Sequence, residues 1–462
     1  MVESEQAPLV GRTAAFPSAA ADAMDLPWWR CWRFRTSLTA ALGEAIVYGQ
    51  RISVPIALVV MQAELDWTKE TQGIVMTGFW VGYAAMQIPG GWLTTRWGPR
   101  RVVGAGLCTS SVLHLCMPMA ATTSPAAMTA LRVLQGVSQG VMVPGYAVLW
   151  STWAPPAERS RLSSIPQVGG YAGTIVQLAI AGWQIDLEPT ASAQGGPVFF
   201  FVGGWEAVFV LNSLMGLAWM VLWFSVVYDS PAQNPRCSVA ERAYIEQALA
   251  GEAAAARTKA AAASRKPRNG DEPIEHSAWS CSLYKRMSRS KPVLAICAAS
   301  FCHNIGNYML IDGFPAYVRD VTGASMTSAG LASAVPQIAV ALLTTLGAVA
   351  ADYLRGPQGP GGLSTRTVRR LMHTVATSCN AALLLLVGMG ALDGISEGLI
   401  VVVLSCAVGV AGLTVGGGFG VNHLDVRTSA SSLCPLSESS LCPLCLLHSN
   451  STTPTESTLR VR

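Results

Sequence analysis

The sequence predicts an all-α, polytopic membrane protein with about ten transmembrane helices, and three observations carry that reading. Charged residues make up only 13% of the chain, where a soluble domain has about 25%. Mean hydropathy is +0.38. The apolar residues also come in continuous blocks, and about 20 helical residues at 1.5 Å rise cover a hydrocarbon core of about 30 Å. Continuous runs favour helical spans over a β-barrel, whose strands alternate over about ten residues. A soluble chain of 462 residues would divide into roughly two to four domains, and no such division is visible. The net charge of +4 sits in loops, so a lipid bilayer is the expected partner and nucleic acid is not. Cys108, Cys116, Cys297, Cys302, Cys379 and Cys406 fall inside apolar runs, the pattern of small buried residues rather than of a disulfide framework.

The predicted spans lie at about 38–61, 72–93, 102–121, 126–150, 162–185, 206–228, 292–314, 327–350, 371–391 and 398–421. Pro55, Pro89, Pro144, Pro166 and Pro336 fall within them; membrane helices tolerate such prolines because neighbouring groups re-satisfy the freed carbonyls. The loops alternate in sign. Segment 62–71 carries Glu64, Asp66 and Glu70 against Lys69, whereas the next loop holds Arg96, Arg100 and Arg101. Loop 151–161 has Arg159 and Arg161 against Glu158, and the following one offers Asp186, Glu188 and Glu206. Segment 229–291 holds eleven Lys or Arg, 351–370 adds Arg355, Arg366, Arg369 and Arg370, and Asp393 and Glu397 join the last two spans. By the positive-inside rule every second loop is cytosolic, and so is the N-terminus.

Five regions follow: a cytosolic tail (1–37), a six-helix half (38–228), a linker (229–291), a four-helix second half (292–421) and a low-complexity tail (422–462). The stretch "LAGEAAAARTKAAAASRKPRNGDEPIEHS" is Ala-rich, charged and broken by proline, and reads as a mobile cytosolic linker. Glu3, Glu5, Asp22 and Asp25 count against a transit peptide.

Five stretches carry a family resemblance. "GGWLTTRWGPRRV" resembles the loop signature of the major facilitator superfamily. "RVLQGVSQGVMVPGYAVLWSTWAPPAERSR" (132–161) resembles the fourth helix and following loop of solute carrier family 17, the anion:cation symporters. "KPVLAICAASFCHNIGNYMLIDGFPAYV" (291–318), with 204–238 and "GFGVNHLD" (418–425), is similar to the same family in the same order. The resemblance covers about 45–425 and implies a major facilitator fold with about ten of its usual twelve helices, two halves rocking around a central cavity. "FCHN" with the following Tyr-x-Leu is more similar to the plant phosphate-transporter branch than to the vesicular glutamate branch. The latter carries arginine where His303 stands and histidine where Met76 stands.

The resemblance also implies site residues. Arg51, mid-span in the first helix, and Arg132, opening the fourth, stand at the family's arginine positions and are expected to bind a small anion. A charge at mid-span costs about 2.5–3.5 kcal/mol on insertion scales and so needs a reason. The bland alternative is that Glu44, two turns away on the same face, neutralises Arg51 while Arg132 snorkels to the interface. His303, Asn304 and Tyr308 are the expected substrate contacts of the seventh helix, and Asp312 beyond them is expected to reach the outer interface. Gln139 and Glu44 are the candidate coupling residues. Most relatives have glutamate where Gln139 stands, and an amide cannot exchange a proton. No cofactor or metal is expected, and sodium or a proton is admitted as a co-transported ion.

Gly91, Arg96, Gly98, Arg100 and Arg101 form the expected gating loop, with Asp352 in its second copy, "LLTTLGAVAADYLRG". Thr95 replaces the usual aspartate in the first copy and Tyr353 the usual arginine in the second, which predicts weaker latching. His114 is expected to pack, and the Trp and Met side chains to anchor in the interface or face lipid. No nucleophile–base pair, phosphate loop or metal cluster stands out, so an enzyme is not expected. The tail "VRTSASSLCPLSESSLCPLCLLHSNSTTPTESTLRVR" contains no eleventh span. Two readings remain: a secondary carrier of phosphate or a small organic anion, and a truncated, non-transporting membrane protein of the same family. No feature specifies an oligomeric state.

Overall fold

The computed structural model describes residues 27–156, 158–187, 203–264, 289, 291–355, 363–389 and 397–416. The low-complexity tail lies outside them. All ten predicted spans coincide with helices. They are α1 (Trp32–Glu64), α2 (Lys69–Trp97), α3 (Pro99–Leu115) with α4 (Met117–Thr123), and α5 (Pro125–Gln139) with α6 (Met142–Trp153). Then come α7 (Arg159–Asp186), α8 (Trp205–Val226), α9 (Val239–Ser264), α10 (Lys291–Thr322), α11 (Met326–Arg355), α12 (Thr365–Gly388) and α13 (Glu397–Gly416).

Two spans are broken rather than continuous. Between α3 and α4 the axis turns by 43°, and Pro118 takes the first turn of the new helix, where a missing N–H costs nothing. The second break, at Gly140, likewise puts Pro144 in the first turn of α6. By length and hydropathy alone, four described helices would cross a membrane, with the bent pair making a fifth. Of the rest, α5 with 15 residues and α6 with 12 fall short in length, each being part of a broken span.

Helix α1 lies along α7 and α8, α2 along α5, and α3 against α8. In the later part α11 lies along α13, which α12 also flanks. The two groups meet where α7 runs beside α11 and α10 touches α1. Close approach of α2 and α5 depends on glycine: a Cβ at Gly136 would lie 2.1 Å from the Phe79 carbonyl oxygen, and one at Gly82 2.0 Å from that of Val133. Small residues at the crossing let backbones touch where lipid provides no hydrophobic drive for helix association. Burial is uneven: the apolar window of α1 is 72% buried and that of α12 only 6%.

Three expectations are corrected. Trp153, Trp205, Trp219 and Trp223 are buried rather than interfacial, and each indole N–H finds an acceptor: Tyr228 O, the Glu64 carboxylate, Thr39 O and Arg100 O at 2.7–2.8 Å. A ring so satisfied combines large buried area with no polar penalty. Cys302, Cys379 and Cys406 are exposed, not buried. Residues 239–264, read as part of a mobile linker, form α9, and α9 is tied down. Glu241 accepts from the backbone N–H groups of Trp32 and Arg33 at the start of α1, at 3.0 and 3.1 Å. The Arg33 side chain bridges Glu241 and Glu158 at 3.1 and 2.6 Å, Tyr244 packs beneath it, and Arg159 grips Glu252 with two bonds. An alanine-rich, charged stretch is a good helix former; the carboxylates that dock it are what composition does not reveal.

Candidate substrate-binding site

The α2–α5 contact sets Phe79 between the two predicted arginines. The Arg51 guanidinium carbon stands 5.4 Å from its ring centroid and that of Arg132 4.7 Å. Tyr48 and Tyr83 flank Arg51 at 4.8 Å each. Aromatic faces hold guanidinium groups in place by their quadrupole, so both cations are fixed without an ion pair. Glu44 is buried, yet among the described residues no salt bridge joins it to Arg51. Arg132 does not snorkel: it is 3% exposed, and its Nε–H is buried with no partner.

A polar network joins the two arginines. Arg51 Nε donates to Gln139 Oε1 at 2.8 Å, and Gln139 Nε2 donates to Ser110 Oγ at 2.8 Å and Gln50 Oε1 at 3.2 Å. Gln50 in turn donates to Ser111 Oγ at 2.9 Å. On the other side, Arg132 Nη1 donates to Gln135 Oε1 at 2.8 Å, and Gln135 Nε2 meets His114 Nδ1 at 3.1 Å. His114 Nε2 lies 3.1 Å from Ser53 Oγ, which donates to Gln50 O. Since Gln135 can only donate through Nε2, His114 carries its proton on Nε2. His114, expected to pack, is therefore the link between the Arg132 and Gln50 branches. Arg132, Gln135 and Gln139 recur at intervals of three and four along α5, a polar stripe the sequence displays in "RVLQGVSQ".

From α10 only part of the predicted set reaches the arginines. Tyr308 packs on Trp80 with ring centroids 4.2 Å apart, and electrostatically it faces Arg51. Asp312, one turn on, is not at the end of its helix: α10 continues to Thr322, and among the charged groups Arg132 acts on it most. His303 lies elsewhere. It lines a cavity of about 490 Å³ between α10, α12 and α13 with His373, Asn380 and Thr414. Asn304 is exposed. Positions 304, 308 and 312 share a face at four-residue spacing while 303 is rotated by about 100°, which is why His303 and Tyr308 meet different neighbours.

The gating loop is latched by a residue that sequence reasoning missed. The Asp229 carboxylate accepts from the backbone N–H of Arg100 at 2.7 Å. It sits where a Cβ on Gly98, at φ 85°, would lie 2.7 Å away, so the loop needs glycine there. The Arg100 side chain donates to Phe224 O and stacks over Tyr228 at 4.8 Å. Gly91 is buried, and Arg96 and Arg101 are exposed. Asp352 lies in the last turn of α11, and its side chain is outside the described set.

The opposite end is closed between the two helix groups. The Asp186 carboxylate accepts from the backbone N–H groups of Met326 and Thr327 at 3.0 and 2.6 Å, capping α11 from the end of α7. Lys69 and Asp320 pair beside it at 3.1 Å.

Comparison with known proteins agrees with this architecture. Vesicular glutamate transporter 2.2 of Danio rerio is 32% identical over 417 residues, covering 87% of this chain and 64% of the relative. Vesicular glutamate transporter 2 of Homo sapiens is 32% identical over 416 residues with the same coverage. The chain thus spans under two thirds of the length of these relatives. Among solved structures, a bacterial homologue of the human lysosomal transporter Spinster superposes with a TM-score of 0.60 at 16% identity, covering 90% of this chain and 79% of the other. A D-xylose–proton symporter superposes with a TM-score of 0.55 at 14% identity, covering 89% and 84%. Residues 40–439 match the sequence profile of the Major Facilitator Superfamily, and with these helices in this order the chain belongs to that superfamily.

Proposed function

We propose that this protein carries a small anion across a membrane by alternating access, binding it at Arg51 and Arg132 on either side of Phe79. The observation that carries this reading is the unpartnered Nε–H of buried Arg132, a donor held ready beside a second fixed guanidinium. Such a pair suits an oxyanion that accepts parallel bonds, as carboxylates and phosphates do. Inorganic phosphate and small organic anions meet that requirement, and the relatives' names add glutamate to the candidates. The end closed by Asp186 and Lys69–Asp320 is the non-cytosolic one in the topology that the arginine-rich loops support, so the site opens toward the cytosol.

Uptake of radiolabelled phosphate and glutamate into proteoliposomes tests the site. Arg51→Ala and Arg132→Ala each remove a charged donor worth about 1.5–3 kcal/mol. Uptake should therefore fall by at least about tenfold in either variant. Uptake equal to wild type in both would remove the arginines from the site.

A further inference from the structure

The cavity of about 490 Å³ between α10, α12 and α13 takes no part in the arginine site. Helices α10 and α12 hardly touch each other, and the cavity lies between them. Its walls are small: Ala298, Ala299 and Gly306 of α10, Ala376 and Ala381 of α12, and Ala411 of α13. Its polar groups are His303, His373, Thr377, Asn380 and Thr414, and no Asp, Glu, Lys or Arg lines it among the described residues. Two features mark it as a place for an occupant. Thr414, in its floor, is fully buried, and its Oγ1 has no hydrogen-bond partner, a costly state for a hydroxyl. A Cβ at Gly306, or at Gly313 seven residues on, would meet no protein atom within 4 Å, whereas Gly82, Gly136, Gly173 and Gly330 lie against the backbone of a neighbouring helix. We propose that this cavity binds a sterol-like lipid, a flat, rigid, apolar body with one hydroxyl group, entering from the bilayer.

The lining selects the chemistry. An ion would find no fixed counter-charge there, and an unpaired charge at membrane depth is costly, so the ligand is uncharged. A hydroxyl both donates and accepts. It can therefore match Thr414 and an imidazole whichever ring nitrogen carries the proton. Alanine and glycine leave smooth walls, and a rigid body gives up little conformational freedom on binding to them. The volume falls within the range of about 300–1,000 Å³ usual for small-molecule sites. Access from lipid follows from the rim. Ala298, Cys302 and Ala381 are exposed, and beside them so are the large apolar side chains of Phe301, Ile305, Met309 and Leu385. An occupant would fasten α12, the least buried of the long apolar helices, to α10.

The test uses the full-length protein in phosphatidylcholine vesicles with and without cholesterol. Cys302 lines the cavity, whereas Cys379 of α12 is exposed but does not line it. A membrane-permeant maleimide, read by peptide mass spectrometry, compares the two thiols in one sample. With cholesterol at about ten times its Kd, labelling of Cys302 should slow by about tenfold while that of Cys379 is unchanged, and Tm should rise. Gly306→Leu grows a side chain into open space; it should fold like wild type, fill the cavity and abolish both effects. Thr414→Val keeps the shape without the hydroxyl and should weaken binding by about threefold to tenfold. Cys302 labelling that ignores cholesterol would mean that the cavity holds only water, and overturns the site. So does a Cys302 that resists maleimide in sterol-free vesicles while Cys379 reacts, since protein would then cover the cavity. Protection by dioleoylglycerol but not by cholesterol overturns the flat, rigid ligand. Neither phosphate nor glutamate uptake enters these readouts, so they stand apart from the carrier reading.

Discussion

At Arg51 and Arg132 the decisive feature is what holds each guanidinium in place. Aromatic rings and amides do so, not carboxylates, and the positive charge therefore stays available to a ligand. Gln139→Glu would change that. It places a carboxylate about where Oε1 now lies, 2.8 Å from Arg51 Nε, and an ion pair there would compete with the substrate. The expected result is a KM for the anion raised by about tenfold, with maximal uptake little changed. His114 tests the link between the branches. His114→Phe leaves the Gln135 donor unpaired in a buried site, a loss of about 1–3 kcal/mol. A lower Tm and a higher anion KM are expected together, whereas His114→Gln, which offers Gln135 an acceptor, should recover most of both. Two normal KM values would assign His114 to packing after all.

Among the elements, α9 and the α7–α11 junction make the sharpest claims. Burial, and then the neighbouring Glu241 carboxylate, push the Cys237 thiol up to about 12, and a thiol so protonated reacts slowly. Breaking the Arg33–Glu241 pair at 3% and 1% exposure should cost about 3–5 kcal/mol. Glu241→Gln is thus expected to loosen α9, raising protease cleavage within 239–264 and maleimide labelling of Cys237. Unchanged labelling and cleavage would show that α9 is held otherwise. At the junction, partial burial works against ionisation of Asp186, but the Thr327 and Met326 N–H groups win and hold its carboxyl below the usual carboxylate range. A depressed pKa means that the cap is complete above the ordinary value of about 4 and is lost only as pH falls through the lower one. Spin labels at Glu70 and Val321 should therefore report a closed end at every pH from about 5 to 8. In Asp186→Ala the same labels should move apart; an unchanged distance would mean that Lys69–Asp320 and apolar packing suffice.

For the whole molecule, one end is joined between the helix groups by Asp186 and Lys69–Asp320, while at the arginine-rich end the latches among the described residues, at Asp229 and Arg33, lie within the first group. On the proposed carrier reading, that asymmetry is what alternating access requires of a single state. Where Thr95 stands, the loop has Asp229, three residues beyond α8, as its carboxylate partner, and the second copy of the loop contributes Tyr353 as an exposed side chain. The first group is well buried and the second much less so, which follows from how many helices cover each in the described structure.

The sequence by itself determined the class, the number and order of the spans, and the placing of cations at mid-helix. In a bilayer each span must satisfy its own backbone hydrogen bonds, so an apolar run of the right length has one outcome and is legible without its neighbours. What only the tertiary structure decided is which polar groups meet. Arg51 finds Gln139 rather than Glu44, Asp312 lies within α10 and not at its end, and His303 lines a cavity with His373 while Tyr308 packs on Trp80. Those outcomes depend on how each helix is rotated and how closely glycines such as Gly82 and Gly136 let two backbones approach. Both are properties of pairs of helices, far apart in the chain, and no single span records them.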